Sequence, residues 1–155
     1  MSGSSWLDEN GKFHLKIMIA DLPARPNELL GRSKFLSRSN AKKWKSRMYQ
    51  EAKALAPKAP LKKAKIKCTR FGTRFMDYDG LVGSFKPVID GLTPIKQKMP
   101  KGLKGYGREI VRNSLAIIWP GVLSDDSWTV TGPWIVSQEL VKKGQERIEI
   151  EISER

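Results

Sequence analysis

Residues 76–92, MDYDGLVGSFKPVIDGL, place two carboxylates directly before an apolar stripe with helical spacing. The stripe is formed by Leu81, Phe85, Val88, Ile89 and Leu92. Its period predicts a helix that buries one side against a core. Pro87 would clash with a preceding helical turn, so we expect the regular helix to begin near Ser84. A kinked helix that begins near Asp79 is the alternative.

Strand patterns lie on both sides of this helix. Apolar and polar residues alternate in 13–19, and small apolar residues alternate with lysines in 62–71. Both patterns predict strands that bury one face. Segments near 134–141 and 146–153 flank the turn KKGQ, so we expect the chain to finish in a hairpin.

Residues 40–56 predict a second amphipathic helix, whose outer faces are basic. Its apolar positions are Ala41, Trp44, Met48, Ala52 and Leu55. Ser39 or Asn40 is the expected N-cap, and Pro57 follows the expected end. A further short helix is predicted over 110–118.

The chain length and these elements predict one domain over residues 1–155. We expect the α/β class in its α+β form, with a small mixed sheet and two to three helices. Residues 93–118 form a basic segment between the predicted elements. Its first part, TPIKQKMPKGLKGYG, has the composition of a mobile loop.

The chain has a net charge of +13, and its positive charge is concentrated in one segment. From Arg32 to Arg74 there are fifteen Lys or Arg and one acid, a net +14, so the remainder sums to −1. This asymmetry favours a polyanionic partner such as nucleic acid. A solvated lysine face that serves solubility is the alternative.

Composition argues against several other classes of protein. No apolar run approaches the roughly 18 residues that a membrane span needs, and the first residues lack the layout of a signal peptide. Cys68 is the only cysteine, which excludes an internal disulfide and fits a reducing cytoplasm. With one histidine and one cysteine, a structural zinc site is not expected.

The acids cluster at two places, Asp77 with Asp79 and Asp125 with Asp126. Like charges this close repel each other, and a bound divalent cation removes the repulsion. Asp77 and Asp79 share a side if the backbone is extended there, and Asp126 could join them from another strand end. Mg²⁺ held by such carboxylates can polarise a phosphate and activate a water. The alternative is that these aspartates serve turns or helix caps.

The strings DYDGL, KPVIDGL and GVLSDDS resemble, in this order, the motifs of the RusA family of Holliday-junction resolvases. That family has D-x-D-N-L, then a helix with K-x-x-x-D-x-L, then a D-D pair after a short apolar run. An early strand, a basic loop and helix, and a final V-x-K-G-x turn extend the resemblance over most of the chain.

The resemblance implies a RusA-like endonuclease that uses Mg²⁺, with Mn²⁺ as the alternative ion. Such enzymes resolve four-way junctions in recombination and repair by paired nicks, as homodimers, in the cytoplasm of a bacterial or phage-infected cell. By position it implies Asp77, Asp79, Asp126 and Lys86 as catalytic residues. The three aspartates would bind the metal, and Asp125 would support its neighbour.

The proposed role of Lys86 is a positive charge for the phosphate or a donor that orients the attacking water. The alternative is an ion pair with Asp90, one helical turn away. DNA backbone contacts are expected from the basic segment. The candidates are Lys42, Lys43, Arg47, Lys63, Lys65, Lys67, Arg70 and Arg74.

Three departures from the family pattern leave the choice of substrate open. Gly80 stands where the family often has asparagine, three extra residues precede Lys86, and the 93–118 insertion replaces a shorter connection. A nuclease for flaps or forks therefore stays an alternative. So does a basic nucleic-acid-binding protein without catalysis, in which the acids are turns and caps.

Overall fold

The computed structural model describes residues 2–24, 34–98 and 115–155. Its strands are β1 (Ser2–Leu7), β2 (Phe13–Ile19), β3 (Ala64–Gly72), β4 (Ile95–Lys98), β5 (Leu115–Trp119), β6 (Ile135–Leu140) and β7 (Arg147–Glu154). Its helices are α1 (Lys34–Ala52), α2 (Tyr78–Asp90) and α3 (Trp128–Thr131). In these ranges no helix combines the length and the apolar character that crossing a membrane requires.

Five of the strands form one mixed sheet in the order β1-β2-β7-β3-β6. The last strand, β7, lies in the middle and pairs antiparallel with both β2 and β3. Strand β6 is added parallel to β3 at one edge. Strands β4 and β5 form a separate antiparallel pair. The prediction of a small α+β domain with a mixed sheet is therefore confirmed.

The core lies on the face of the sheet that α1 and α2 cover. Ile66 and Cys68 of β3 are buried there, whereas Lys65 and Lys67 point away and are exposed, because successive residues of a strand face opposite sides. Trp44 of α1 is also buried in this core. Cys68 is a small buried side chain of this core, and burial raises the pKa of its thiol to about 12.

The other face of the sheet carries a ladder of opposite charges. Lys16 Nζ lies 3.1 Å from Glu149 and Lys67 Nζ 3.7 Å from Glu151. Arg147 pairs with Glu149 at 3.1 Å. The pKa of Glu149 lies below its ordinary value. Burial by itself would raise this pKa, but the hydrogen bonds from Lys16 and Arg147 lower it by more. The glutamates of β7 therefore neutralise part of the lysine row that the sequence predicts on β3.

Both helix starts predicted from the sequence are wrong. Helix α2 begins at Tyr78 and contains Pro87 in its interior, so the alternative with a start near Asp79 is the better description. Burial of Leu81 as well as Phe85 extends the apolar contact toward the start of α2, which offsets the cost of the proline. Helix α1 begins at Lys34, so Ser39 and Asn40 lie inside it and cap nothing.

The prediction of a terminal hairpin also needs correction. The segments β6 and β7 exist, but they do not form a hairpin, because β3 lies between them. Strand β1 was not predicted at all.

The insertion differs from its prediction as well. The helix predicted over 110–118 is wrong at its end, since residues 115–119 form β5, and its part before residue 115 lies outside the described residues. The loop predicted over 93–107 is strand at 95–98, and its part from residue 99 onward lies outside the described residues. The insertion and the residue that follows it therefore contribute both strands of the separate pair.

The core position of α2 gives a stability prediction with a matched control. Phe85 is fully buried, whereas Phe75, just before the helix, is 61% exposed. Phe85→Ala should lower the free energy of unfolding by about 3–5 kcal/mol. Phe75→Ala should change it by no more than about 0.5 kcal/mol. Urea unfolding followed by circular dichroism measures both, and similar decreases in the two variants would contradict the packing described for α2.

Candidate functional site on helix α2

The first two predicted acids lie at the start of α2. Asp77 is the N-cap residue by position, but its side chain makes no capping hydrogen bond. Asp79 lies in the first turn, and both aspartates are exposed. The helix dipole favours negative charge here. The simplest alternative for Asp77, a carboxylate used to cap the helix, is therefore not what the structure shows.

Gly80 gives the Asp77 carboxylate its space. A Cβ atom at residue 80 would lie 2.6 Å from Asp77 Oδ1, closer than such atoms approach each other. Any side chain at this position would therefore push the carboxylate aside. The departure from the asparagine of the RusA pattern thus has a local consequence, because it allows Asp77 to lie over the first turn of α2.

The backbone before Asp77 is held by side chains from the sheet. Gln138 of β6 accepts a hydrogen bond from Met76 N at 2.8 Å and donates one to Met76 O at 2.7 Å. Arg70 is buried, and its Nη1 donates to the Arg74 carbonyl oxygen at 2.9 Å. The turn between β3 and α2 is therefore fixed at two points, which sets where the acids stand.

Asp126 reaches α2 because the preceding segment is bound at the end of that helix. Val122 N and Leu123 N both donate to the Leu92 carbonyl, at 2.9 and 3.1 Å. Gly121 has a φ of +83°, and a Cβ there would lie 2.8 Å from Leu92 O. Only glycine accommodates both this conformation and this close approach. The GVLSDDS segment therefore binds the end of α2 through its backbone and also carries the two adjacent acids.

Lys86 joins two acids that are far apart in the sequence. Its Nζ donates to Asp90 Oδ1, one helical turn away, and to Asp126 Oδ2. The hydrogen bond from Lys86 is the main cause that holds the pKa of Asp126 below its ordinary value. The pKa of Lys86 lies above its ordinary value. Partial burial by itself would lower this pKa, but the hydrogen bonds with Asp126 and Asp90 raise it by more. Asp125 Oδ1 accepts from Asp126 N at 2.8 Å.

The predicted residues thus fall into two groups. Lys86 and Asp126 are in contact, whereas Asp79 lies two turns earlier, about 10 Å along the helix axis. Asp79, Lys86 and Asp90 still share one stripe of α2 because of their helical spacing. Within the described ranges, no three or more His, Cys, Asp or Glu side chains are grouped so that they could hold a metal ion.

The residue types at this site nevertheless fit Mg²⁺. Carboxylate oxygens are the ligands that this ion prefers, and one or two of them usually suffice together with water and phosphate. Asp126 and Asp90 already bracket a cation, the ammonium group of Lys86. That Asp77, Asp79 and Asp126 hold such an ion stays a prediction, and it requires Lys86 to release Asp126.

The predicted DNA-contacting cations do not share one surface. Lys42 and Lys43 lie on the outer side of α1, and Lys65 and Lys67 lie on the opposite face of the sheet. Several are engaged within the protein: Lys43 pairs with Asp21 at 2.9 Å, Arg47 with Glu51 at 3.3 Å and Lys67 with Glu151. Arg70 is buried and Arg74 and Lys63 are exposed. The α1 cations share the helical layer with Lys86 and Asp126.

Two residues at this site were missed or misjudged from the sequence. Asp90 was placed outside the acidic set, but it shares Lys86 with Asp126. The ion pair between Lys86 and Asp90, which their i,i+4 spacing predicts as the alternative role of Lys86, is confirmed, whereas the sharing of Lys86 with Asp126 was not predicted. Gln138 fixes Met76 from a strand that is more than sixty residues away in the chain, and no local pattern points to it.

Comparisons of the chain with protein-family models, with curated proteins and with solved structures gave no match. The functional argument therefore rests on the motif residues and on their geometry.

The contact between Lys86 and Asp126 predicts a measurable titration. Lys86→Met should raise the pKa of Asp126, because the hydrogen bond and charge that lower it are removed. Carboxyl ¹³C NMR measures this pKa, and Lys45→Met on the exposed side of α1 is the control that should leave it unchanged. An Asp126 pKa that does not respond to Lys86→Met would contradict the contact.

The sign of the pH effect on stability follows from the same contact. Because the folded-state pKa of Asp126 is lowered, the contribution is present at neutral pH and is lost as the pH falls through that value. Lys86 is 52% exposed, so this contribution should stay below about 1 kcal/mol after solvent screening.

Proposed function

We propose that this protein is a Mg²⁺-dependent, structure-specific DNA endonuclease of the RusA type. In this proposal it resolves four-way junctions by paired phosphodiester nicks. It acts as a homodimer, because two nicks related by symmetry need two sites related by symmetry. The proposed compartment is the cytoplasm.

The observation that carries the proposal is the contact between Lys86 and Asp126. These residues are 40 positions apart in the chain and were selected from two separate motifs. A chain in which the motif matches were accidental would have no reason to bring them together. The same contact lies on the exposed side of α2, on the helix that also carries Asp79.

Each of these residues has a proposed role in the reaction. Asp77, Asp79 and Asp126 would hold the ion, and Lys86, once released from Asp126, would donate to a phosphate oxygen or to the attacking water. Bound Mg²⁺ would polarise the scissile phosphate and lower the pKa of that water. When the ion replaces Lys86 at Asp126, Asp90 would keep Lys86 charged and close to the site, because it also accepts a hydrogen bond from the ammonium group.

A second candidate function is DNA binding without cleavage. It is favoured by the ion pairs of Lys86, whose single positive charge already offsets part of the negative charge of Asp90 and Asp126 without a metal. The exposed cations of α1 would then hold the DNA backbone. Nuclease action on flaps or forks is a variant of the first proposal and differs only in the substrate.

The nuclease proposal predicts that binding and cutting separate at the aspartates. Asp77→Asn, Asp79→Asn and Asp126→Asn should each lower the nicking rate of a labelled four-way junction at least about 100-fold, because an ion-held charge at the phosphate is lost. Junction affinity in metal-free buffer should stay the same or rise, since each change removes a negative charge that repels DNA.

The controls for this experiment follow from the structure. Asp8→Asn, in the turn between β1 and β2, should leave the nicking rate unchanged, because that residue hydrogen-bonds only within its own turn and to His14. Asp90→Asn is unsuitable as a control and should reduce activity, because it disturbs Lys86. Wild-type nicking rates in all three aspartate variants would refute the assignment and favour the binding-only function.

The charge distribution predicts which face holds the DNA. Replacing Lys42, Lys43 and Lys45 of α1 by Ala should flatten the slope of log affinity against log salt by about 2 to 3 units, at about 0.9 for each phosphate that is no longer neutralised. The matched triple replacement of Lys63, Lys65 and Lys67 should flatten it by about one unit or less, because the glutamates of β7 pair with that face. The reverse order would place the DNA on the open face of the sheet.

A further inference from the structure

In the part of the chain that the structure describes, the exposed aromatic side chains are concentrated close in sequence to the predicted site acids. Phe75 is 61% exposed, Tyr78 is 67% exposed and Trp128 is 71% exposed. Among the side chains that the structure describes, Trp6 is the one other exposed aromatic residue. The remaining described aromatic side chains are buried or half-buried.

The position of these three residues is tied to the candidate site. Phe75 comes two residues before Asp77, and Tyr78 lies between Asp77 and Asp79. Trp128 comes two residues after Asp126 and is the first residue of α3. Trp6 belongs to β1, at the edge of the sheet opposite to β6. Among the described residues, three of the four exposed aromatic side chains therefore lie within two sequence positions of Asp77 or Asp126.

The backbone under these side chains is held in place. The two hydrogen bonds between Met76 and Gln138 fix the residue next to Phe75. Tyr78 is on the first turn of α2, and Trp128 follows a segment bound at Leu92 and at Lys86. Rings on fixed backbone offer flat apolar surface at a small cost in conformational entropy.

We propose that Phe75 and Tyr78 at the start of α2, and Trp128 beside Asp126, are a stacking surface in two parts, each of which holds unpaired bases near the scissile phosphate. This inference rests on the proposed function and names its substrate class, which is DNA whose bases are unstacked at the branch point. Aromatic side chains stack on the faces of all bases, with little preference for sequence. The chain's large net positive charge supplies the attraction for DNA, and the aromatic surface selects bases that a paired duplex keeps hidden.

The test compares two DNAs of equal length in metal-free buffer, where no cutting occurs. One is a four-way junction with two unpaired thymidines at the branch point, and the other is a fully paired duplex. Tyr78→Ala and Trp128→Ala should each weaken binding to the first DNA by about 5- to 150-fold, the range for losing one stacked base. Binding to the duplex should change less than about twofold. Phe75→Ala should act in the same direction.

Matched variants and a second measurement keep the test independent of folding. Tyr78→Phe and Trp128→Phe should retain the affinity, because an aromatic ring remains, and Trp6→Ala should behave like wild type. In the unmodified protein, 5-iododeoxyuridine at the unpaired positions should cross-link on irradiation to Tyr78, Trp128 or Phe75, identified by mass spectrometry.

The unfavourable outcomes are distinguishable. Equal decreases in affinity for both DNAs, or cross-links only elsewhere, would overturn the stacking surface and leave the nuclease proposal standing. If the alanine variants instead convert a wild-type dimer to a monomer in sedimentation, the surface is an interface between two copies and the inference fails. Failure of the wild type to bind either DNA would overturn the stacking surface and the proposed function together.

Discussion

Burial of one stripe of α2 is the constraint on which the rest of the structure depends. Phe85, Val88 and Ile89 are fully buried against the sheet, and each removes enough apolar surface to stabilise the fold by about 1.5–3 kcal/mol. With that stripe fixed, the opposite side of the same helix must face outward. The acids, Lys86 and Asp90 are on that outward side because of their spacing from the stripe, so the packing of the core sets the geometry of the candidate site.

The close approach of residue 121 to the end of α2 sets the second half of the site. Leu92 O accepts hydrogen bonds from Val122 and Leu123, and Asp126 follows three residues later. The carboxylates that arrive in this way would repel each other in the absence of a cation. Lys86 supplies that cation within the protein, which explains how the fold tolerates the half-buried Asp90 and Asp126 so close to each other. A bound metal ion would have to compete with this ammonium group, so metal affinity and Lys86 are linked.

The two faces of the sheet differ in how their charges are used. On the open face, β7 supplies glutamates beside Lys16 and Lys67, and they neutralise part of the positive charge there. On the helical face, α1 presents Lys42, Lys43 and Lys45 at the surface, and only Lys43 has an acidic partner in the described part of the chain. The field that attracts a polyanion should therefore be strongest on the side that also holds Lys86 and Asp126.

The sequence by itself determined the local features of this protein. Residue alternation predicted β2 and β3 and their buried faces, helical spacing predicted the buried sides of α1 and α2, and motif order selected Lys86 and Asp126. These features depend on neighbours in the chain, so a local pattern is enough to find them. The start of α2 was misjudged because propensity penalises Pro87, whereas the burial of Leu81 and Phe85 outweighs that penalty.

Only the tertiary structure decided the relations between distant segments. The insertion of β3 between β6 and β7 separates two strands that a short turn connects, because central positions go to the strands that bury the most apolar surface. Three further features depend on how the elements pack together. The predicted cations are divided between two faces, Gln138 binds the backbone of Met76, and Asp90 and Asp126 share Lys86. Their energies come from packing and charge interactions across the fold, which no local period in the sequence encodes.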